Sequence, residues 1–545
     1  MDALFFEGLG PTDTWLIYCG SAGKSCGKRR KQTSTCSIGR NRSNSGIEEI
    51  RVITMIFSSS VFLFIFLPIF MITVFSVGKR FRNLFLVIAS LLFYAWGEPK
   101  YIFLLIISIF VNYLFSFFID SSQRNEKQTR VRLWLSLALV FNLALLVGFK
   151  YTGFLASPWN WVGAFSGFSF IHLNVPQLPL PLGISFFTFS AISYLIDIYR
   201  KDAQHERNPI YVALYISFFP KLLAGPIVQY RQIKDQITNR SISTDKLAGG
   251  IQRFIVGLGG KVLIANTLGA AVDQIFAISP AQLTAPISWL GIICYTLQIY
   301  FDFSGYSHMA IGIGKMAGFD FPENFRYPYI SQSIREFWQR WHISLSTWFR
   351  DYLYIPLGGN RRSSIRVYFN LMTVFMLCGL WHGAGKTFIV WGAWHGIFIV
   401  LEHAGFGNIL KKIWSPLRHL YLLLIVIIGW VIFRSDSLHY AAGYLKAMFG
   451  LSPGNAPVLA VGSYLNSLVV LTLLVGIAIS SPFIPKVNIL KDNFINVIRS
   501  KKSRLYQVFG LSWSLGELLC LVVILVVSIM SLSGALNNPF IYFKF

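Results

Sequence analysis

Apolar runs of about 20 residues, the length that crosses a bilayer as a helix, recur along most of this chain between short and often basic connections. From Ile56 the alternation is regular. Ile56 to Val77 reads as a span and is followed by Lys79, Arg80 and Arg82. Asn83 to Trp96 and Tyr101 to Ile119 are two more, joined by Gly97 to Lys100. Arg124, Lys127, Arg130 and Arg132 follow, then the run Leu133 to Phe149. A long, nearly uncharged loop with Trp159 and Trp161 leads to Leu182 to Tyr199, after which come Arg200, Lys201 and Arg207. Basic loops thus fall on alternate sides, and the positive-inside rule puts Arg80, Arg130 and Arg200 in the cytoplasm. Tyr211 to Pro226 carries Pro220 and Lys221 within an apolar run, the pattern of a broken or re-entrant segment. Lys261 interrupts Ile251 to Leu268, and Asp302, Ser304 and His308 interrupt Trp289 to Ile313. Leu420 to Phe433, Ser467 to Ser480 and Leu515 to Ser531 complete the series. The pattern predicts an all-α integral membrane protein with about 11 transmembrane helices plus re-entrant helices. No inverted repeat of the transporter kind is visible.

Composition agrees. The chain has 545 residues, 54% hydrophobic and 13% charged, which excludes a soluble domain of this size. The net charge of +25 points to basic cytoplasmic loops against anionic membrane lipid, not to nucleic acid. No cysteine spacing suits a metal, and no metal site is expected. Residues 1–54 stand apart. They hold Cys19, Cys26 and Cys36, the cluster Lys28 to Lys31, and a Ser/Thr/Asn-rich run, without a signal-peptide core. We read them as an atypical extension, disordered or ahead of a true start at Met55, and residues 55–545 as one multi-pass domain. The orientation above would strand this basic segment on the outer face.

The densest chemistry runs from Arg335 to Gly396. Trp338, Trp341, Leu345, Trp348 and Tyr352 recur at helical spacing, as do Arg335, Gln339, His342, Ser346 and Arg350 on another face. This predicts one helix, Arg335 to Tyr354, with His342 mid-stripe between guanidiniums; the plain alternative is an interfacial helix anchored by tryptophans. Next come two apolar runs, Val367 to Trp381 and Thr387 to Leu401, the first shorter than the about 20 residues of an untilted span. His382 lies between them, ringed by Gly379, Gly383 and Gly385, which permit close backbone approach or an irregular turn. Two short helices meeting there would put an ionisable group inside the membrane. Taken alone, such a histidine reads first as a structural residue bonded to a neighbouring helix.

Longer matches change that balance. FPKLLAGPIVQY (Phe219 to Tyr230), YFDFSGYSHMAIGIG (Tyr300 to Gly314), FPENFRYPY (Phe321 to Tyr329), Arg335 to Arg361, CGLWHGA (Cys378 to Ala384) and the terminal NPFIYFKF (Asn538 to Phe545) occur in this order. Together they resemble the membrane-bound O-acyltransferase family, and within it the alginate O-acetylation membrane proteins. The resemblance implies a ring of membrane helices around a central polar tunnel. It implies His382 as the catalytic histidine and His342 as the second signature histidine. It implies transfer of an acetyl group, with acetyl-CoA as donor and no bound cofactor, toward an exported polysaccharide. The partners it implies are a periplasmic or extracytoplasmic acetyltransferase and the polysaccharide export machinery, at the bacterial inner membrane. A neutral buried imidazole suits a general base, and Arg335, Arg340 and Arg350 suit the phosphates of an anionic donor. Asp302 and Trp381 complete the expected substrate-binding set. The plain alternative for the arginines is ion pairing with Glu336 and Asp351. The chain departs from the family pattern at His308 and Asn266, where Asp is usual, and at Gly260, where Lys is usual. Acylation of peptidoglycan or teichoic acid is the nearest alternative function, and a transporter lined by His342, His382 and Lys221 is the alternative of another class.

Overall fold

The computed structural model describes residues 56–154, 179–452, 461–500 and 505–534. The expectations for residues 1–54, for the loop with Trp159 and Trp161, and for Asn538 to Phe545 lie outside the described residues. Every regular element among the described residues is a helix. That is the outcome demanded of a chain rich in Leu, Ile, Phe and Val with no water to satisfy its backbone.

The first five helices are α1 (Phe62–Ser76), α2 (Lys79–Gly97), α3 (Ile102–Arg124), α4 (Gln128–Lys150) and α5 (Ile184–Tyr199). They are followed by α6 (Pro209–Ser217), α7 (Tyr230–Thr238), α8 (Thr244–Phe276) and α9 (Ala285–Met316). Two short helices, α10 (Ile334–Arg340) and α11 (Ile343–Phe349), precede α12 (Ser364–His382), α13 (Lys386–Leu410) and α14 (Ser415–Arg434). The described chain ends with α15 (Leu438–Met448), α16 (Ser467–Ile479), α17 (Phe483–Ser500) and α18 (Leu505–Gly534). Seven of these helices are long and apolar enough to cross a membrane, or eight if α16 and α17, bent by 60°, count as one.

Helix α9 is the instructive case. At 32 residues it is long enough to span, but Gln298, Asp302, Ser304, Ser307 and His308 dilute its apolar character. These groups are tolerated because other helices cover α9 along most of its length. Its closest neighbour is α8. At their crossing, a Cβ on Gly257 would lie 2.6 Å from the Gly305 carbonyl oxygen, so only glycine lets the backbones meet. Beside that crossing Lys261 and Asp302 form a buried ion pair, so Lys261 faces the interior instead of reaching for the membrane surface. At His308 the ring Nδ1 accepts from Arg253 Nε at 3.2 Å, and Arg253 forks Glu323.

The segment around Pro220 is broken, as its sequence suggests. Helix α6 ends at Ser217, Phe218 leaves the helical conformation, and Phe219–Leu222 forms a single buried turn. Lys221 Nζ donates to Ser190 Oγ at 2.9 Å and lies 4.4 Å over the Tyr215 ring.

Candidate active site

Helical periodicity predicts one continuous helix from Arg335 to Tyr354. The structure corrects this: α10 and α11 are separate, and the break falls on His342, whose φ of 45° and ψ of 53° are left-handed. For a residue with a Cβ that conformation costs on the order of 1–2 kcal/mol. The loop Phe321 to Ile330 offsets it. Arg326 N donates to the Arg340 carbonyl at 3.0 Å, and Ile343 N donates to the Asn324 carbonyl at 3.0 Å. Asn324 Oδ1 accepts from Ser344 N at 3.2 Å and from Ser344 Oγ at 2.9 Å. The break also dissolves the predicted polar stripe. Arg335, Gln339 and Arg350 are exposed, whereas His342 turns inward and keeps 1% of its surface.

The second correction concerns the runs around His382. Helix α12 begins at Ser364, ahead of the apolar run, and has 19 residues; α13 has 25. Two span-length helices therefore meet in a hairpin at Gly383 to Gly385, in place of two half-length ones. Close approach sets the glycines there. A Cβ on Gly379 would collide with the Phe388 carbonyl, and one on Gly383 with the Phe388 ring. His382 is the last residue of α12 and owes its burial to side chains packed over the turn. Its ring centroid lies 4.9 Å from Trp381, 5.0 Å from Trp391 and 5.3 Å from Phe433.

Trp381 joins the two histidines. Its ring stands against His382 on one side and 6.0 Å from His342 on another, with Phe186 and Phe189 each at 5.6 Å. Phe303 meets the His342 ring edge-on at 4.5 Å. The result is a buried aromatic chamber holding two imidazoles. Burial pushes the His342 imidazole down to about 3, so it is neutral at physiological pH. Neither His342 Nε2 nor Trp381 Nε1 finds a partner among the described residues.

Two further groups hold the turn and were not foreseen. Lys150 Nζ, at the end of α4, donates to the carbonyls of Trp381 (2.5 Å) and His382 (3.2 Å). Tyr151 Oη donates to the Leu380 carbonyl at 2.6 Å. Three of the last carbonyls of α12, unpaired in an isolated helix, are thus capped from one dipeptide. The cation also sits at the negative end of the helix dipole. The one hint in the sequence is a lysine closing an apolar run on the side where the neighbouring loop is nearly uncharged. Asn324 was part of a quoted motif but had no role attached to it.

The remaining predicted residues lie outside the chamber or in its frame. Arg335 Nη2 meets His403 Nδ1 at 3.0 Å. Arg340 pairs with Glu336 at 3.0 Å, and Arg350 Nε donates to Asp351 Oδ1 at 2.8 Å. Asp351 is a hub: its Oδ2 also accepts from Gln229 Nε2 at 3.0 Å and Arg231 Nη2 at 2.6 Å. Burial raises the Asp351 carboxyl, but the hydrogen bonds from Arg350 and Gln229 and the guanidiniums of Arg350 and Arg231 together outweigh it and hold the group below its ordinary range. Asp302 is committed to Lys261. A polar cleft of about 1050 Å³, lined by Arg124, Lys201, His205 and Arg207 among others, shares no lining residue with the chamber.

Comparison with known proteins finds a family and several relatives. The sequence profile of the membrane-bound O-acyltransferase family matches residues 93–433, a range that includes His342, Trp381 and His382. A protein described as a probable alginate O-acetylase of Pseudomonas putida is 41% identical over 497 residues, covering 90% of this chain and 100% of the relative. The peptidoglycan O-acetyltransferase of Helicobacter pylori is 35% identical over 537 residues, covering 92% of this chain and 99% of the relative. The teichoic acid D-alanyltransferase of Bacillus subtilis is 32% identical over 283 residues, 48% of this chain and 70% of the relative.

Proposed function

The chain belongs to the membrane-bound O-acyltransferase family and is an acyltransferase of the membrane, and on that premise we propose that it carries acetyl groups from a cytoplasmic donor across the inner membrane for O-acetylation of an exported, alginate-like polysaccharide. The observation that carries this reading is the meeting of His342 and His382, from distant segments, on one buried tryptophan. In this reading the chamber is part of a polar tunnel, and the shorter apolar helices together with α9 bring the membrane segments to about 11.

The chemistry follows from the groups at hand. An acceptor hydroxyl attacks the carbonyl carbon of the acetyl thioester. His382 takes the hydroxyl proton as the C–O bond forms and returns it to the sulfur as the C–S bond breaks. The aromatic walls keep out water, which would otherwise hydrolyse the thioester. Acetyl-CoA is the proposed donor. Its phosphates suit Arg350 and Arg335, which remain exposed although each already has a partner, better than Arg340, which is doubly bonded to Glu336. The acceptor is handled outside by a second, extracytoplasmic acetyltransferase together with the export machinery.

Peptidoglycan is the second acceptor to weigh, because the Helicobacter pylori relative aligns over nearly its whole length. Chemical analysis of surface polymers from cells with and without this protein separates the two. Loss of polysaccharide O-acetyl esters supports the proposal. Loss confined to muramic acid esters transfers the activity to peptidoglycan, and no change in either contradicts both.

A further inference from the structure

His342 presents a directional question, since a neutral imidazole donates from one nitrogen and accepts at the other. Asn324 answers it. Ser344 N is a backbone donor with no alternative role, and it points at Asn324 Oδ1 from 3.2 Å. That contact fixes which end of the Asn324 amide is oxygen. The same oxygen lies 3.1 Å from His342 Nδ1. An oxygen can only accept there, so Nδ1 carries the hydrogen. The proton count of a neutral ring then leaves Nε2 bare, and Nε2 is the nitrogen without a partner among the described residues.

We propose that Asn324 is a positioning residue that holds His342 as the Nδ1–H tautomer, so that Nε2 faces the chamber as an acceptor and never as a donor. This rests on the reading that the chamber is the site of acyl transfer, and it makes that reading sharper. His342 cannot then stabilise the oxyanion of the tetrahedral intermediate, which needs an N–H. It can only take a hydrogen bond from a hydroxyl or thiol. Since the attacking hydroxyl gives its single proton to His382, His342 receives from a second hydroxyl of the acceptor or from the departing thiol and orients that partner beside His382. The groups packed on His342 leave the tautomer to Asn324. Helix α9 contributes Phe303 and the loop contributes Phe325, both apolar. Helix α12 contributes Trp381 and the one ionisable neighbour, His382. Glu323, next in sequence, is held by Arg253.

Asn324→Asp tests this with almost no change in shape. A carboxylate keeps the bonds from Ser344 but favours the doubly protonated ring, turning Nε2 into a donor. In membranes given radiolabelled acetyl-CoA, acetyl transfer by Asn324→Asp should fall roughly tenfold at pH 6 relative to its own rate at pH 8.5, the loss expected when the adjacent carboxylate lifts the ring by several units from about 3, to titrate about one unit above pH 6. The parent protein should show no such slope over that range. A folded Asn324→Asp protein with the parent pH profile overturns the proposal. Should that variant fail to fold, ¹⁵N-histidine magnetic resonance on the parent protein decides, with His342 assigned by difference against His342→Gln. A bare Nε2 and a protonated Nδ1 support the proposal, and a protonated Nε2 overturns it. Full acetyl transfer by His342→Ala, with the Nδ1–H tautomer still observed in the parent, would remove the chamber's role while leaving the tautomer assignment standing.

Discussion

At the scale of single residues, the site depends on groups that no local pattern reveals. The lysine at the end of α4 is held by helix carbonyls 231 and 232 positions away. Hydrogen bonds involving a charged partner are worth about 1.5–3 kcal/mol, and neutral ones about 0.5–1.5 kcal/mol. Lys150→Met should therefore lower the unfolding free energy by about 2 kcal/mol and Tyr151→Phe by about 1 kcal/mol, read as thermal melting in detergent. Both should lower acetyl transfer by more than they lower protein abundance, because the turn they hold carries His382. The burial of His382 was legible in the sequence, since an ionisable residue ringed by glycines between apolar runs is conspicuous. The inward turn of His342 was not. Helical spacing describes where side chains point only while the helix continues, and a single left-handed residue resets the phase. What stabilises that residue is Asn324, 18 positions upstream.

At the scale of elements, the hairpin of α12 and α13 is set by contact between backbones. A Cβ on Gly392 would strike the Phe375 carbonyl of the facing helix, whereas one on Gly385 would meet its nearest neighbour at an ordinary 3.4 Å. Gly392→Val should thus cost several kcal/mol, on the order of 3 or more, while Gly385→Ala should stay within about 1 kcal/mol. Membrane abundance and melting temperature distinguish them. The sequence suggested close approach or an irregular turn at Gly379, Gly383 and Gly385, and only the facing helix decides between them. The Asp351 hub makes a second element-scale prediction. Its carboxyl is depressed in the folded protein. Its stabilisation is therefore complete above the unfolded value of about 3.9 and is lost as pH falls through the lower folded value. Melting temperature measured down to about pH 3 should fall more steeply for the parent than for Asp351→Asn, with no divergence in slope between pH 6 and 8.

At the scale of the whole molecule, the alternation of apolar runs and basic loops made the all-helical membrane fold readable in outline. The long buried α9 was legible as Trp289 to Ile313, and the polar groups that interrupt it are permitted by burial under protein where a lipid-facing helix would exclude them. The basic loops predict an orientation that can be measured directly. In a cysteine-free background, a cysteine at Glu98 should react with an impermeant label added to intact cells, and one at Asn125 should react only after the membrane is opened. The reverse pattern would invert the proposed direction of transfer. The most direct test of the account is the O-acetyl content of the exported polymer in cells whose only copy carries His382→Gln. Glutamine retains hydrogen bonding and burial but cannot take a proton. With the variant present in the membrane at the parent level and with parent melting behaviour, ester content should drop by roughly 100-fold or more, the lower end of what general base catalysis supplies. Esters at the parent level would mean that His382 only shapes the turn, and would contradict the assignment of the chamber as the site of acyl transfer.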